Sequence, residues 1–214
     1  MAFIAENVKG ILTLGDGAII EAIIEDFSDK GYNVFPQLVN AADYGVPQDR
    51  WRVILLGFSK EICITEYVFP KKTLLRSSLA DALKNLEAPR KEDVCRDSFS
   101  SRYMSRNRKR QWNEVAYTGP AMAKQVTLHP SSPDMIKVNE DKWVFGEGET
   151  RRFSWQEAAA IQTFPKDLDF TGSLVSKYKQ IGNAVPVKLA EVIAKDVYIK
   201  LNAASSKSAS IVIG

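Results

Sequence analysis

The chain has 214 residues, 45% of them hydrophobic and 26% charged, so it can bury one core, or one core and a smaller lobe, and is not a disordered chain. Its formal net charge of +3 at pH 7 is too small to indicate a nucleic-acid partner by itself. Two isolated cysteines, Cys63 and Cys95, and one histidine, His129, form no metal-ligand pattern, so we expect no metal site.

The amino terminus has no signal-peptide pattern, and no apolar run approaches the ~20 residues that cross a bilayer. We therefore expect no membrane partner and an intracellular, cytoplasmic location with reduced thiols.

The first part of the chain alternates between strand and helix patterns. Residues 2–5 predict a buried strand, residues 19–27 have apolar side chains at helical spacing, and residues 32–38 predict a second strand. After a turn at Gly45, the apolar run at residues 53–58 predicts a third strand. This alternation predicts an α/β fold.

Three polar side chains at alternate positions precede the third strand. On an extended chain Gln48, Arg50 and Arg52 point to the same side, so an amide and two guanidinium groups would face one ligand, such as an anion or a base edge. Spacing alone leaves a second interpretation open, in which the arginines lie on the surface at a strand entry.

Glu6 follows the first predicted strand. In an open α/β sheet the ligand crevice lies outside the carboxyl ends of the strands, which is where Glu6 is expected. The alternative is that Glu6 is a helix cap or a surface acid.

The central part of the chain is polar and basic after a predicted helix at residues 77–86. Two aromatic residues, Tyr103 and Trp112, are interleaved with a cluster of cations. Five cations fall within nine residues: Arg102, Arg106, Arg108, Lys109 and Arg110. The cluster is either a solvated face or a surface that contacts DNA phosphates.

The carboxyl-terminal part contains two helix-start signals. Ser154 and Glu157 have capping-box spacing, which predicts that Glu157 satisfies backbone donors. Pro186 occupies the first turn of a predicted helix that extends to about residue 201, after a turn at Gly182. The segment before Pro186 is either a plain helix entry or the border of a ligand site. Residues 203–214 are expected to form a mobile tail.

Four stretches, in this order, resemble motifs of the DNA cytosine-5 methyltransferases. Residues 3–10 resemble the Glu-Asn-Val motif, and Gln48 to Arg52 resemble the Gln-x-Arg-x-Arg motif. Residues 151–165 resemble the ninth motif, although Gln156 stands where the family usually has arginine, and residues 182–185 resemble the Gly-Asn-Ala-Val motif. Residues 105–108 and 128–133 resemble the recognition region of one branch of the family, less specifically.

The resemblance implies roles for particular residues. Glu6 would contact the N3 side of a flipped cytosine, Arg52 its O2, and Arg50 a neighbouring phosphate. Asn183, Ala184 and Val185 would border the S-adenosylmethionine pocket. The residues expected to contact double-stranded DNA are Gln48, Arg50, Arg102, Arg106, Arg108, Arg110 and Arg151.

Two family motifs are absent from these residues: the Pro-Cys loop with the nucleophile and the glycine-rich Phe-x-Gly-x-Gly turn for the cofactor. The resemblance therefore implies the C-terminal half of a Rossmann-like methyltransferase sheet plus a smaller, irregular DNA-recognition lobe. Its expected parts are a catalytic segment (1–75), the lobe (76–171), a returning helix (172–202) and the tail.

Without these two motifs the enzyme would be inactive alone, and its S-adenosylmethionine site would be incomplete. We expect either a partner chain with the amino-terminal motifs or self-association through an exposed sheet edge. The alternative is a catalytically inactive DNA-binding remnant.

Overall fold

The structure is a computed structural model that describes residues 1–97, 109–139 and 143–211, with side chains described to residue 206. The strands in these residues are β1 (Ala2–Val8), β2 (Tyr32–Asn40), β3 (Gln48–Asp49), β4 (Trp51–Ser59), β5 (Ala116–Tyr117), β6 (Met135–Lys137) and β7 (Trp143–Phe145). The α-helices are α1 (Ala18–Asp29), α2 (Leu79–Leu83), α3 (Trp155–Ile161), α4 (Leu174–Asn183) and α5 (Val187–Ile211).

The main sheet has three strands in the order β1-β4-β2, and β4 runs antiparallel to both neighbours. The predicted strands and the predicted α1 are confirmed, and the mixed α/β class holds. The pairing register places Glu6 opposite Ile54 and Val8 opposite Arg52. The end of β1 therefore lies beside the start of β4.

The centre of β4 is an unbroken apolar run, as expected for a strand that is buried on both faces of its sheet. On one face Val53 and Leu55 form a buried cluster with Ile20 of α1. On the other face Ile54, Leu56 and Phe58 of β4 pack with the inner side of α5, including Leu189. The sheet lobe, residues 1–69 with α5, is thus a three-layer arrangement.

The two outer strands have different edges. Pro36 lies in β2 and has no backbone N–H, so it removes one donor from that edge. Strand β1 contains no proline, and its Ile4 and Val8 are 46% and 54% exposed. The edge of β1 is therefore the one with a complete set of backbone donors and exposed apolar side chains.

The second lobe is built from short elements around its own core. Helices α2, α3 and α4 surround that core, and the short strand pair of β6 with β7 lies in the same part of the chain. Strand β5 pairs instead with β3, which precedes β4 in the sequence. The core residues are Leu79, Leu83, Cys95, Ala116, Ala123, Val126, Phe153, Ile161 and Tyr178. Helix α2 is shorter than the predicted 77–86, although Ser78 and Asp81 form a complete capping box at its start.

The carboxyl-terminal region differs from expectation in two respects. The expected returning helix (172–202) is divided into α4 and α5, and α4 packs Tyr178 into the second core, so the chain returns to the sheet only at α5. Helix α5 continues to Ile211, through part of the segment expected to be a mobile tail. Alanines at 203 and 204 favour continuation, since helix propagation is cooperative. No helix in the described part of the chain has the length and apolar character to span a membrane.

Candidate active site

Glu6 and Arg52 form an ion pair where β1 ends and β4 begins. The distance from Arg52 Nε to Glu6 Oε1 is 2.7 Å, and the side chains are 12% and 21% exposed for Arg52 and Glu6 respectively. Arg52 Nη1 also donates a 2.8 Å hydrogen bond to the carbonyl of Trp51, which fixes the guanidinium. The pair is largely shielded from water, which strengthens its electrostatic interaction.

Arg50 is buried and points away from any open surface. It is 1% exposed, and its guanidinium donates to the carbonyls of Gly119, Gly182 and Ala184 at 3.2, 2.7 and 3.1 Å. Burial, and then the charge of Arg52, lower the pKa of Arg50 to about 10, so it stays charged at neutral pH. The expected contact with a neighbouring phosphate does not fit this geometry, because the carbonyls occupy the guanidinium.

Gln48 is also buried, at 1% exposure, and lines a cavity of about 20 Å³ that Gln162 also lines. Its backbone belongs to β3, which pairs in parallel with β5. The expectation that Gln48, Arg50 and Arg52 face one ligand is therefore wrong in this structure. The pairing partner changes at Arg50, from β5 for β3 to β1 and β2 for β4, and the three side chains enter different environments. The DNA contact expected for Gln48 stays a prediction, which its 1% exposure does not favour.

The turn at residues 183–185 begins at Asn183, the last residue of α4. A side chain at Gly182 would place its Cβ 2.5 Å from the carbonyl oxygen of Pro120, so only glycine permits this approach of two backbones. Asn183 is exposed, whereas Val185 is partly buried against the sheet core. An exposed amide beside an apolar side chain fits one border of a ligand with polar and apolar parts, as S-adenosylmethionine is.

Arg151 holds the carboxylate that caps α3. Its Nη1 and Nη2 donate to Glu157 Oε2 and Oε1 at 2.7 and 2.9 Å, while the backbone N–H of Ser154 donates to Oε2. The capping box predicted for Ser154 and Glu157 is confirmed. Arg151 therefore has a carboxylate partner, with which a DNA phosphate would compete.

His129 faces the other side of the same carboxylate, with its Nε2 3.5 Å from Glu157 Oε1. Burial, opposed by Glu157, lowers the pKa of His129 to about 4, so the ring is neutral at pH 7. Its Nδ1 accepts from the backbone N–H of Ser131, which leaves the ring proton on Nε2, toward Glu157. The lone histidine in the sequence gave no signal of this packing role.

Asp93 is a second buried acid that sequence patterns did not identify. Burial would raise its pKa, but hydrogen bonds from Arg90, Gln156 and Trp155 outweigh burial and lower the pKa to about 2. Trp155 Nε1 lies 2.8 Å from Asp93 Oδ1, and Arg90 Nε lies 3.0 Å from Oδ2. The Asp93 carboxylate thus joins α3 to the segment at residues 90–93, and Gln156 of α3 contributes one of the hydrogen bonds.

Four arginines between residues 102 and 110 were predicted to contact DNA, and the structure describes one of them, Arg110. Its Nη1 donates to Glu114 Oε1 at 2.9 Å, and its guanidinium lies 4.2 Å from the ring centre of Tyr117. The other three, Arg102, Arg106 and Arg108, lie outside the described residues.

A cleft of about 510 Å³ lies between residues 88–96 and 149–152. Lys91 and Arg96 are exposed there, and Glu149 is the acidic residue in the lining. The cationic residues in the lining are Arg90, Lys91, Arg96, Arg151 and Arg152. The excess of cations makes this basic cleft suitable for an anionic ligand.

Cys63 is exposed, whereas Cys95 is buried and contributes to the lining of the basic cleft. Within residues 1–97, 109–139 and 143–206, no three His, Cys, Asp or Glu side chains are grouped so as to hold a metal ion.

Residues 1–198 match the family described as C-5 cytosine-specific DNA methylase. The match covers most of the chain, and the chain belongs to this family. The resemblance found in the motifs is confirmed at that level.

Two relatives are named as Type II methyltransferases. M.BsuRI from Bacillus subtilis is 43% identical over 218 residues, which cover 91% of this chain and 49% of that protein. M.FnuDI from Fusobacterium nucleatum is 42% identical over 219 residues, which cover 91% of this chain and 63% of that protein. The chain therefore spans about half to two thirds of the length of these relatives.

The fold is similar to that of the S. pombe Dnmt2 methyltransferase, with a TM-score of 0.63 over 94% of this chain and 67% of that one. At 15% sequence identity, this likeness supports the methyltransferase fold alone.

Proposed function

We propose that this chain supplies the base-recognition part of a DNA cytosine-5 methyltransferase, which transfers a methyl group from S-adenosylmethionine to C5 of a flipped cytosine. The observation that carries the proposal is the ion pair of Glu6 with Arg52, formed by two separate motifs at adjacent strand ends. Membership of the family supports the same reaction.

The pair has the chemistry that a cytosine ring requires. A carboxyl group at Glu6 can bond N3 and the adjacent amino group, while the Arg52 guanidinium can donate to O2. The β1–β4 register holds both groups on paired strands, so little reorganisation is needed when the base arrives. Extracting the base from the stack costs a few kcal/mol, which such charge-assisted bonds offset.

The cofactor would be held in part by the turn at residues 183–185. S-adenosylmethionine supplies the methyl group when bound. Asn183 offers an exposed amide, and Ala184 and Val185 offer backbone and apolar surface beside it. These residues border one side of a cofactor site, and further residues are needed to complete it.

Double-stranded DNA is the proposed macromolecular substrate, and the basic cleft supports it. Lys91 and Arg96 have exposed side chains at its mouth, in addition to the five arginines predicted from the central and ninth-motif regions. Cations at such positions bind phosphates without reading sequence, and they position the duplex for the base contacts.

The reaction also needs a thiolate to add at C6 of cytosine. Neither Cys63 nor Cys95 lies in a Pro-Cys sequence, and Cys95 is buried in the second lobe. The proposed enzyme therefore includes further residues with the thiol and the glycine-rich turn, in a partner chain or in the same polypeptide. The open edge of β1, with exposed Ile4 and Val8, supports pairing of another strand there, or of a second copy.

Complementation tests this proposal. The chain is produced together with the amino-terminal part of M.BsuRI, and transfer of labelled methyl groups to a cytosine-containing duplex is measured. We expect transfer with the natural chain, and a loss of about 10²–10⁴-fold with Glu6→Gln, because the acid at N3 is removed. Glu25→Gln, an exposed acid on α1, is the matched control and should leave the rate unchanged.

Absence of transfer, together with salt-dependent DNA binding, would refute the enzymatic proposal and favour the inactive DNA-binding remnant. Sedimentation of the chain alone tests the open edge. A monomer that binds no hydrophobic dye would contradict a covering partner or self-association.

A further inference from the structure

Arg50 joins three segments that are distant in the sequence. Its guanidinium donates to Gly119 in the second lobe, to Gly182 in α4, and to Ala184 in the turn that follows α4. The backbone of Arg50 also lies directly before β4, which starts with Trp51 and Arg52. The side chain therefore connects the strand that carries the proposed cytosine contact with the turn that borders the proposed cofactor site.

The bonds to Gly182 and Ala184 have a specific physical basis. The last carbonyls of an α-helix have no partner within the helix, and the helix dipole gives that end a partial negative charge. Gly182 belongs to the last turn of α4, so a buried guanidinium there satisfies a free carbonyl and is itself stabilised. A charge that is otherwise costly to bury thus has three acceptors and a favourable helix end.

Close backbone packing at Gly182 restricts where the acceptors of Arg50 can lie. The backbones of Gly182 and Pro120 approach so closely that an added Cβ would lie 2.5 Å from the carbonyl oxygen of Pro120. Gly119, the neighbour of Pro120, is also an acceptor for Arg50. The end of α4 and residues 119–120 are therefore held against each other from two sides.

We propose that Arg50 is a positioning residue that fixes the turn at residues 183–185 relative to the Glu6–Arg52 pair. The inference rests on the proposed function for its consequence in catalysis, but the placement of the turn can be measured without any reaction. In the complete enzyme Arg50 fixes the distance between the turn at residues 183–185 and the Glu6–Arg52 pair. Arg50 itself contacts neither the cofactor nor the cytosine.

The test compares Arg50→Lys with the natural chain by hydrogen–deuterium exchange. Two reporter amides lie near the turn: Ala184 donates to Ile181 and Val187 donates to Gln162. Lysine keeps the charge but lacks the planar fork that reaches three carbonyls, so exchange at Ala184 and Val187 should rise about tenfold. Arg76→Lys, at an ion pair between the half-exposed Arg76 and the buried Asp43, is the matched control and should leave both amides unchanged.

A second variant, Gly182→Ala, disturbs the same contact from the other side and should also accelerate exchange at these amides. In the complemented enzyme, Arg50→Lys should raise the KM for S-adenosylmethionine about tenfold with a smaller change in kcat. Unchanged exchange in Arg50→Lys, or equal acceleration throughout the chain, would overturn the inference. Failure of methyl transfer would count against the proposed function alone, because the exchange result is independent of it.

Discussion

The sheet lobe and the second lobe are stabilised in different ways. Strand β4 is buried between apolar faces of α1 and α5, so regular backbone pairing and close packing hold the sheet lobe together. In the second lobe the strands have two or three residues, and buried charged groups bind the backbone and one another instead. Glu157, Asp93 and Arg152 are each at most 5% exposed. A segment with little regular structure needs such side chains, because its buried backbone groups still require partners.

The sharpest test of this comparison removes one buried carboxylate. Glu157→Ala should lower the free energy of unfolding by about 3–5 kcal/mol, because Arg151 loses its partner and α3 loses its cap. Denaturant unfolding measures the change. Glu191→Ala breaks an exposed ion-pair group on α5 and should have little effect. Equal losses in the two variants would mean that the buried network does not stabilise the second lobe.

The same network should make stability depend on pH. His129 has a pKa of about 4 in the folded chain, compared with 6.5 for an unperturbed histidine, so the unfolded chain binds a proton first as the pH falls. Stability is therefore complete above about pH 6.5 and is lost between pH 6.5 and 4, by about 3 kcal/mol. Because the sequence has one histidine, its NMR titration is unambiguous.

The matched variant for this pH effect is His129→Gln, which should remove the pH dependence between 6.5 and 4. Asp93, with a pKa lowered from 3.8 to about 2, stabilises the fold above about pH 4, and this contribution is lost only as the pH falls from about 4 to 2. A normal histidine pKa in the folded chain would contradict the burial of His129.

In the sheet lobe, stability should depend instead on close packing between β1 and β4. A Cβ at Gly57 would lie 1.9 Å from the ring of Phe3, which is opposite it in the β1–β4 register. Gly57→Ala should therefore destabilise the chain by about 1–3 kcal/mol through overpacking. Gly10→Ala is the control, since a Cβ there has no neighbour within 4 Å. Thermal unfolding of both variants distinguishes a packing effect from a general effect of losing glycine.

The smallest expected effect concerns the basic cleft of the second lobe. The double variant Lys91→Ala, Arg96→Ala should reduce the slope of log affinity against log salt by about 1.8, if each cation meets one phosphate. Fluorescence anisotropy with a labelled duplex measures the slope. The sheet-lobe variant Lys30→Ala, Lys200→Ala is the control, and an equal change in it would show that net charge, and not the cleft, determines binding.

The sequence predicted the elements whose signals are local. Strand β4 follows from an unbroken apolar run, α1 from helical spacing, and the start of α3 from its capping box. The meeting of Glu6 with Arg52 was expected from resemblance, and the structure places them 2.7 Å apart, while their catalytic roles stay predictions.

Long-range polar contacts could not be predicted. The acceptors of Arg50 lie 69 to 134 positions away in the chain, and no spacing rule links a guanidinium to such carbonyls. The period-two argument failed there because it assumed one continuous strand from Gln48 to Arg52. The role of Asp93 was missed for the same reason, since one of its donors, Trp155, lies 62 positions away.

The unequal edges of the main sheet determine how copies of the chain can combine. If two copies joined through β1, they would form a six-stranded sheet with a twofold axis at its centre. Both ends of that sheet would then be β2, where Pro36 interrupts the row of donors. The interrupted donor rows would disfavour further strand pairing, so association through β1 would favour a closed dimer over a fibre.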